Sequence, residues 1–259
     1  MLEDSISQLP ELRAQGLLPD GQHCIFQAGS IVRGWGNPTS DVDLYVIVDD
    51  VWSRCGVEGA PMAIGADTFY SLQTYVEGTR WDIKCLTDKQ VDTVLAKVTH
   101  EAFQNAVGEG VQLDYQETIL LEWLRHGVAL EDEEWLNRRA GQLKASAFGT
   151  VLVQRGLNYA DSRVEDAVGQ MSVGDLESAV LSARAALEYA VDALLASHAE
   201  YGQNAKWRAN RFRAVDQSVL SFADYWVLET MQTFDPADPA AWVNEVLPVC
   251  RKISMEVIL

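Results

Sequence analysis

The stretch GSIVRGWGNPTSDVDLYVIV, residues 29–48, places two aspartates one residue apart at the head of an apolar run. The run that follows Asp43 is entirely aliphatic or aromatic, which predicts a buried β-strand. Successive side chains of a strand point to opposite faces, so Asp41 and Asp43 lie on one face, roughly 6.5 to 7 Å apart at Cα. The intervening Val42 points into the core. The sequence therefore predicts a pair of carboxylates at the head of a buried strand.

Two carboxylates this close would repel each other and resist burial unless a cation accompanies them. Mg²⁺ suits the position, because it accepts one or two carboxylates and completes its coordination shell with water and substrate phosphates. Asp41 and Asp43 thus indicate a divalent-metal site that handles a phosphate-bearing substrate.

A phosphate-binding bend is predicted just upstream of the aspartates. Gly29 and Ser30 follow a predicted strand, and glycine lets the backbone turn sharply and approach a ligand closely. Ser30 adds a hydroxyl donor, and a short helix opening after it would present free N–H groups to a phosphate. A triphosphate bound at this bend would lie one loop away from the aspartates.

This arrangement resembles the polymerase-beta-like nucleotidyltransferase superfamily. The family signature is an apolar residue, Gly, Gly or Ser, a spacer, and then Asp-apolar-Asp-apolar. In this chain Ala28-Gly29-Ser30 is followed after ten residues by Asp41-Val42-Asp43-Leu44. The layout is that of the aminoglycoside- and lincosamide-type antibiotic nucleotidyltransferases with a helical C-terminal domain.

The resemblance implies a role for each matching residue. Asp41 and Asp43 would be ligands of two Mg²⁺ ions, and ATP is the expected nucleoside triphosphate. The residues that would bind the nucleotide on the sheet domain are Gly29, Ser30, Arg33 and Ser40.

The family also uses a third carboxylate, which comes from a later strand. The segment RWDIKCL offers Asp82 for that role, and Glu77 is the weaker candidate because it sits beside a glycine in a predicted hairpin turn. The alternative for Asp82 is an ordinary ion pair with Arg80 or Lys84.

A basic segment in the C-terminal half extends the resemblance. AKWRANRF, residues 205–212, is similar to a Lys-Trp stretch with which several of these transferases contact nucleotide phosphates, which implies that role for Lys206. The alternative is a solvated basic turn, since Arg208, Arg211 and Arg213 lie in the same segment.

The general base that would take the proton of the attacking hydroxyl is predicted on the helices. Glu188 and Glu122 are the candidates, because each sits among apolar residues on a predicted helix. Glu188 also lies four residues after Arg184, and an ordinary ion pair is the alternative role for it.

The periodicity of the apolar residues divides the chain into two parts. Strand patterns occupy the first part, and helical patterns prevail from residue 89 onward. The predicted class is α+β: a small mixed β-sheet nucleotidyltransferase domain at 1–110, followed by an α-helical bundle domain at 111–259. The predicted strands are 23–28, 43–48, 69–76 and 80–86, and the predicted helices are 6–15, 89–107, 114–127, 133–155, 157–170, 175–197 with Asp175 as N-cap, 216–232 and 239–257.

Charge and cysteine usage bound the partners and the location. The chain has 20 Lys and Arg against 38 Asp and Glu, a net charge of −18. Such a chain repels a nucleic-acid backbone and attracts cationic small molecules, so duplex nucleic acid is not an expected partner. The four cysteines form no CxxC pair, which favours a reducing compartment. We recognise no targeting sequence and no apolar stretch of membrane-spanning length, and therefore expect a cytoplasmic protein without a membrane partner.

These features predict a Mg²⁺-dependent nucleotidyltransferase that moves a nucleoside monophosphate, first of all AMP from ATP, to a hydroxyl of a small molecule. A cationic antibiotic or a related metabolite is the expected acceptor. One alternative is a transferase that acts on a macromolecule, through protein AMPylation or at a tRNA end. Another is a non-catalytic nucleotide-binding protein. A homodimer is compatible with each of these functions.

Overall fold

A computed structural model describes residues 2–19, 21–106, 108 and 110–257, with side chains for all of these except 2–4, 53 and 55. The chain forms two compact units, residues 1–147 and 148–259. The predicted class, a small mixed sheet followed by a helical part, is confirmed. The sequence analysis placed the division at residue 110. The first compact unit extends further, because the helices and the strand between 115 and 144 pack against the sheet.

Within the described residues, the first unit is built on a six-stranded sheet with the order β3-β4-β5-β2-β1-β6. Only β2 and β5 run parallel, and the other neighbours are antiparallel. The strands are β1 (Cys24–Ala28), β2 (Val42–Val48), β3 (Ala60–Ile64), β4 (Asp67–Val76), β5 (Thr79–Thr87) and β6 (Val128–Glu131). The helices are α1 (Leu2–Ala14), α2 (Gly29–Val32), α3 (Ser53–Glu58), α4 (Asp88–Lys97), α5 (His100–Asn105), α6 (Tyr115–His126) and α7 (Glu133–Lys144).

The two faces of this sheet carry different side chains. One face is mainly aliphatic, and Leu44 and Ile83 pack there in one core with Trp81 and with Leu12 of α1, all fully buried. The opposite face carries aromatic rings, because the intervening residues of the strands point there. On that face Tyr45 of β2 meets Trp123 of α6 edge to face, with ring centroids 5.0 Å apart. Helix α6 therefore covers the face to which Asp43 belongs.

A capping box fixes where α6 begins. The Asp114 carboxylate accepts a hydrogen bond from Glu117 N at 2.8 Å, and the Glu117 carboxylate accepts one from Asp114 N at 3.0 Å. This reciprocal arrangement satisfies backbone N–H groups that the first helical turn leaves free. The same Asp114 accepts a hydrogen bond from Gly65 N at 2.6 Å in the β3–β4 turn, which ties α6 to the edge of the sheet.

The second unit is helical in its described residues, and none of the described helices of either unit is both long and apolar enough to cross a bilayer. Asp175 accepts a hydrogen bond from Ser178 N at 3.2 Å, which confirms it as an N-cap. Gly156 allows a close helix contact, since a Cβ there would meet the Cβ of Ala193 at 2.9 Å. The helices are α8 (Phe148–Ser172), α9 (Leu176–Ser197), α10 (Arg208–Ala214), α11 (Phe222–Glu229) and α12 (Pro239–Glu256).

Two short strands were not predicted. The segment with sequence APMAI is absent from the predicted strands, but it forms β3 at the edge of the sheet. Pro61 is tolerated there because an edge strand leaves one side without a partner. The segment VALE is also absent from the predicted strands, but it forms β6 and pairs with the other side of β1. Each strand exists because a neighbour offers backbone groups, and a run of four or five residues carries little periodic signal of its own.

Four helix predictions had the wrong extent. The predicted helix 89–107 is divided into α4 and α5, because Thr99 caps a new helix by accepting a hydrogen bond from Ala102 N at 3.1 Å; residue 107 lies outside the described residues. The predicted helices 133–155 and 157–170 are divided elsewhere, since α7 ends at Lys144 and α8 is one continuous helix. The predicted helix 216–232 is shortened to α11, whose N-cap is Ser221.

Candidate active site

Asp43 and Asp82 are neighbours on the aromatic face of the sheet. The parallel register of β2 and β5 makes Asp43 the direct partner of Asp82. Register partners on adjacent strands point to the same side, so the two carboxylates lie next to each other. Each side chain is 16% exposed. The structure thus brings together two of the three carboxylates that the sequence analysis proposed as metal ligands.

Lys84 fills the space between these two carboxylates. Its Nζ lies 2.8 Å from Asp43 Oδ1 and 3.0 Å from Asp82 Oδ2, so one ammonium pairs with both aspartates. The same nitrogen lies 4.6 Å from the ring centroid of Trp123 and 5.4 Å from that of Tyr45. Aromatic faces attract a cation at such distances. We call Asp43, Asp82 and Lys84 the acidic site.

The other two carboxylate oxygens of the acidic site also have close neighbours. Ser71 Oγ donates a hydrogen bond to Asp82 Oδ1 at 2.5 Å. Asp43 Oδ2 lies against Gly29, where a Cβ would collide with the carboxylate. Gly29 has a φ of 79°, a conformation that side chains other than glycine's rarely adopt. Glycine at this bend therefore allows the chain to turn directly beside the acid.

Burial dominates the electrostatics of Asp43. It raises the pKa of the Asp43 carboxyl, Lys84 opposes that effect, and the charges of Asp41 and Asp82 add to it. The pKa remains above its ordinary value, since the cost of burying the charge exceeds what the ammonium returns.

Asp41 lies outside the acidic site. It precedes β2, its side chain is 40% exposed, and its Oδ2 is 4.0 Å from Arg80 Nε. Among the described residues, no three His, Cys, Asp or Glu side chains lie close enough together to hold a metal ion. The three aspartates are therefore not gathered around one point, and their joint role as metal ligands stays a prediction.

Two Mg²⁺ ions, which the family resemblance implies, do not fit this arrangement. The point that faces both Asp43 and Asp82 holds the ammonium of Lys84, and the remaining oxygens face Ser71 and Gly29. The acidic site thus combines two carboxylates with one ammonium. The ion pair with Lys84, which was the alternative for Asp82, is what the structure shows.

An open cavity of about 540 Å³ lies directly over the acidic site. Pockets of several hundred Å³ hold ligands of drug-like size. The acidic site contributes three of the four charged residues of its lining, and Trp123 lines the cavity beside them. The other lining residues are Glu58, Ala60, Met62, Phe69, Ser71, Leu72, Gln73, Tyr115, Gln116 and Ile119.

The other predicted nucleotide-binding residues of the first unit lie in the segment between β1 and β2. Ser40 Oγ accepts a hydrogen bond from Asn37 N at 2.9 Å, which closes a turn. The guanidinium of Arg33 lies over Trp35, with Cζ 4.0 Å from the ring centroid. The carbonyl of Ser30 accepts a hydrogen bond from Trp35 N at 2.9 Å. Contacts between these residues and a nucleotide stay a prediction.

The predicted site residues of the second unit are placed as follows. Lys206 is exposed in a 3-10 turn, and its Nζ lies 5.2 Å from the ring centroid of Trp207. Glu188 lies 3.7 Å from Arg184 and 3.4 Å from Arg208, so the predicted alternative, an ion pair, is present. The roles of Lys206 in phosphate binding and of Glu188 as a base stay predictions. Glu122 of α6 in the first unit is 4% exposed and is absent from the cavity lining described above.

The basic segment after Lys206 is not a solvated turn throughout. Arg208 and Arg211 are 4% and 2% exposed, because both guanidinium groups pair with carboxylates inside the second unit. Arg208 Nε and Arg211 Nη2 lie 3.1 and 2.6 Å from the same oxygen of Asp192. We call these residues and their partners the arginine cluster; its members are Arg208, Arg211, Asp192, Glu188 and Glu229.

The sequence analysis did not identify Lys84, Ser71 or Trp123 as site residues. For Lys84 a signal existed, because it lies two residues after Asp82 in a predicted strand and therefore on the same face. Nothing local indicated Ser71 or Trp123, since they come from another strand and from α6.

No protein-family model matches the sequence, and no curated protein matches it significantly. Among solved structures, the chain is similar to a nucleotidyltransferase-like protein from Exiguobacterium sibiricum 255-15, with a TM-score of 0.48 and 15% sequence identity. The match covers 96% of this chain and 73% of that one. A likeness of this size does not assign an activity to this chain.

Proposed function

We propose that the chain is a nucleotidyltransferase that moves a nucleoside monophosphate from a triphosphate, with ATP as first choice, to a hydroxyl of a small molecule. The observation that supports this proposal is the contact between Gly29 and Asp43. A glycine bend suited to a polyphosphate and a partly buried carboxylate are packed against each other at the same point of the sheet. The cavity over Asp43 and Asp82 supplies room for reactants beside them.

The reaction is an in-line displacement at the α-phosphorus. The oxygen of the acceptor hydroxyl forms a bond to phosphorus, the bond to the bridging oxygen breaks, and pyrophosphate leaves. The hydroxyl proton passes to a base or to water. The triphosphate enters as its magnesium complex, so one divalent ion arrives with the substrate. The protein contributes position and charge compensation, which supply most of the catalysis in phosphoryl transfer.

The cavity lining supports a small acceptor with apolar and polar parts. Met62, Phe69 and Trp123 offer apolar contact, while Glu58 and Gln116 offer oxygen acceptors. Because the chain carries a net charge of −18, a cationic acceptor would be attracted to it. A hydroxylated amine, such as an aminoglycoside-like compound, is therefore the acceptor class to test first.

The first experiment measures pyrophosphate release from ATP with Mg²⁺ and a panel of hydroxylated amines. We expect release that depends on the acceptor, and we expect Asp43→Asn to lower its rate by about a hundredfold or more, the loss typical of removing one key electrostatic group. Asp49→Asn is the matched control, because Asp49 follows the same strand with an 84% exposed side chain.

Two outcomes would contradict the proposal. If Asp43→Asn keeps the wild-type rate, the acidic site does not carry the chemistry. If label from α-labelled ATP appears on protein or RNA of a cell lysate and never in the small-molecule fraction, the small-molecule acceptor is wrong.

A further inference from the structure

The acidic site already contains a cation. Lys84 Nζ is within 3.0 Å of both Asp43 and Asp82, and the side chain is 10% exposed. Each carboxylate is therefore paired with the same ammonium inside the protein.

The lysine is held in this position by its surroundings. Trp123 and Tyr45 lie against the ammonium at 4.6 and 5.4 Å from their ring centroids. Those rings are themselves in edge-to-face contact across the α6–sheet packing, and Tyr45 is 2% exposed. To leave, Lys84 would have to give up both ion pairs and both ring contacts together.

The position of Lys84 is the one that a bridging metal ion would need. A divalent ion bridging two carboxylates lies between oxygens of both, and that place is taken by Nζ on Asp43 Oδ1 and Asp82 Oδ2. The other oxygen of Asp82 accepts a hydrogen bond from Ser71, and the other oxygen of Asp43 lies beside Gly29. An incoming metal would therefore have to displace the lysine as well as shed its own water.

We propose that Lys84 is a tethered cation that replaces a metal ion between Asp43 and Asp82. The chain then binds its triphosphate with no more than one divalent ion, the ion that the triphosphate brings. The inference deepens the proposed function, on which its catalytic meaning rests, and its metal-binding part can be tested without any turnover. Lys84 is a positioning residue: it holds the two carboxylates in place beside the glycine bend.

The test counts bound Mn²⁺ by electron paramagnetic resonance, first on the protein alone. Wild type is expected to show no tight Mn²⁺ site, and Lys84→Met is expected to create one, with at least tenfold tighter Mn²⁺ binding. Lys84→Arg, which keeps the charge, should behave like wild type. Asp82→Asn combined with Lys84→Met should lose the new site, because one of its two carboxylates is gone. Equal Mn²⁺ binding by wild type and Lys84→Met would overturn the proposal.

The second measurement adds an α,β-methylene analogue of ATP and needs only the wild-type chain, so it stands even if Lys84→Met does not fold. We expect one Mn²⁺ per chain; two per chain would overturn the proposal. If the analogue does not bind with any divalent ion, the proposed nucleotidyltransferase function fails. The Mn²⁺ measurements without nucleotide then decide alone whether Lys84 excludes a metal, so the two failures are distinguishable.

Discussion

The acidic site of the first unit and the arginine cluster of the second both contain more carboxylates than cations, but their surroundings differ. In the acidic site one ammonium serves two carboxylates, and an open cavity lies over them. In the arginine cluster Arg208 directs all three guanidinium nitrogens at carboxylates and is 4% exposed. A charged group that borders a cavity can exchange contacts with a ligand, whereas one enclosed by its own helices contributes to folding. Exposure to a cavity, rather than charge density, separates a candidate site from a structural cluster.

The largest expected effect is a loss of stability, and it tests whether the arginine cluster stabilises the fold. Arg208→Met should lower the free energy of unfolding of the second unit by about 3 to 5 kcal/mol, because Asp192 and Glu229 would lose their shared partner while remaining partly buried. Urea unfolding followed by circular dichroism measures it.

Arg163→Met is the matched control for that variant. Arg163 pairs with Asp166 at 2.8 Å, but both side chains are more than 40% exposed, so its loss should change the free energy of unfolding by about 0.5 kcal/mol or less. If the two variants differ by no more than this amount, the arginine cluster does not stabilise the fold and the comparison fails.

A smaller effect on stability comes from His126, whose ring nitrogen Nε2 is buried. Nε2 of His126 has no hydrogen-bond partner in the described part of the chain, and burial, with Arg33 and Arg125 nearby, lowers its pKa from 6.5 to about 3. Between pH 6.5 and 3 the unfolded chain binds a proton at His126 that the folded chain does not. The contribution of His126 to the free energy of unfolding is therefore fully present above pH 6.5, and it falls by about 1.4 kcal/mol per pH unit below that value.

The measurement compares the free energy of unfolding of wild type and His126→Gln at pH 7.5 and pH 5.5. Wild type should lose about 1.4 kcal/mol more than the variant over this interval, since one pH unit of it lies below 6.5. His100→Gln, at an exposed position, serves as control. Parallel pH profiles of wild type and His126→Gln would show that the histidine titrates normally in the folded chain.

The smallest expected effect, a difference of about 1 kcal/mol between two variants, separates the strain of the glycine bend from its contact with Asp43. Gly29→Ala and Gly78→Ala both place alanine at a positive φ, 79° and 83°, but only the first meets a carboxylate. Each should cost about 1 kcal/mol for the backbone conformation, and Gly29→Ala should cost roughly 1 kcal/mol more and weaken ATP-analogue binding. Urea unfolding measures the loss of stability, and calorimetry measures binding of the ATP analogue. Equal losses of stability in the two variants, with unchanged binding, would show that the bend at Gly29 has no special role beside Asp43.

The local parts of the fold were predictable from the sequence. Strands β1, β2, β4 and β5 were predicted, because each contains a run of apolar, aromatic or β-branched residues bounded by turn residues. The N-cap Asp175 was predicted because capping is a contact within one turn. Strands β3 and β6 were not, since each depends on the backbone groups of a neighbour.

The candidate site was predictable only in part. The spacing from Gly29 to Asp43 indicated a bend beside an acid, and the structure shows the two in contact. The structure does not place Asp41 beside Asp43 and Asp82, because Asp41 precedes the strand and approaches Arg80 instead. For the segment after Lys206 the sequence left a solvated basic turn as the alternative, because the carboxylates that pair with Arg208 and Arg211 come from other helices, α9 and α11.

The sequence by itself determined the strand carrying Asp43, the glycine bend before it and the helical character of the second half, since these depend on neighbouring residues. Only the tertiary structure decided that Asp82 stands next to Asp43 and that Lys84 lies between them. The register of two parallel strands is chosen by packing across the whole sheet, and no local pattern specifies it. Because of that register, the carboxylates of Asp43 and Asp82 both pair with the ammonium of Lys84.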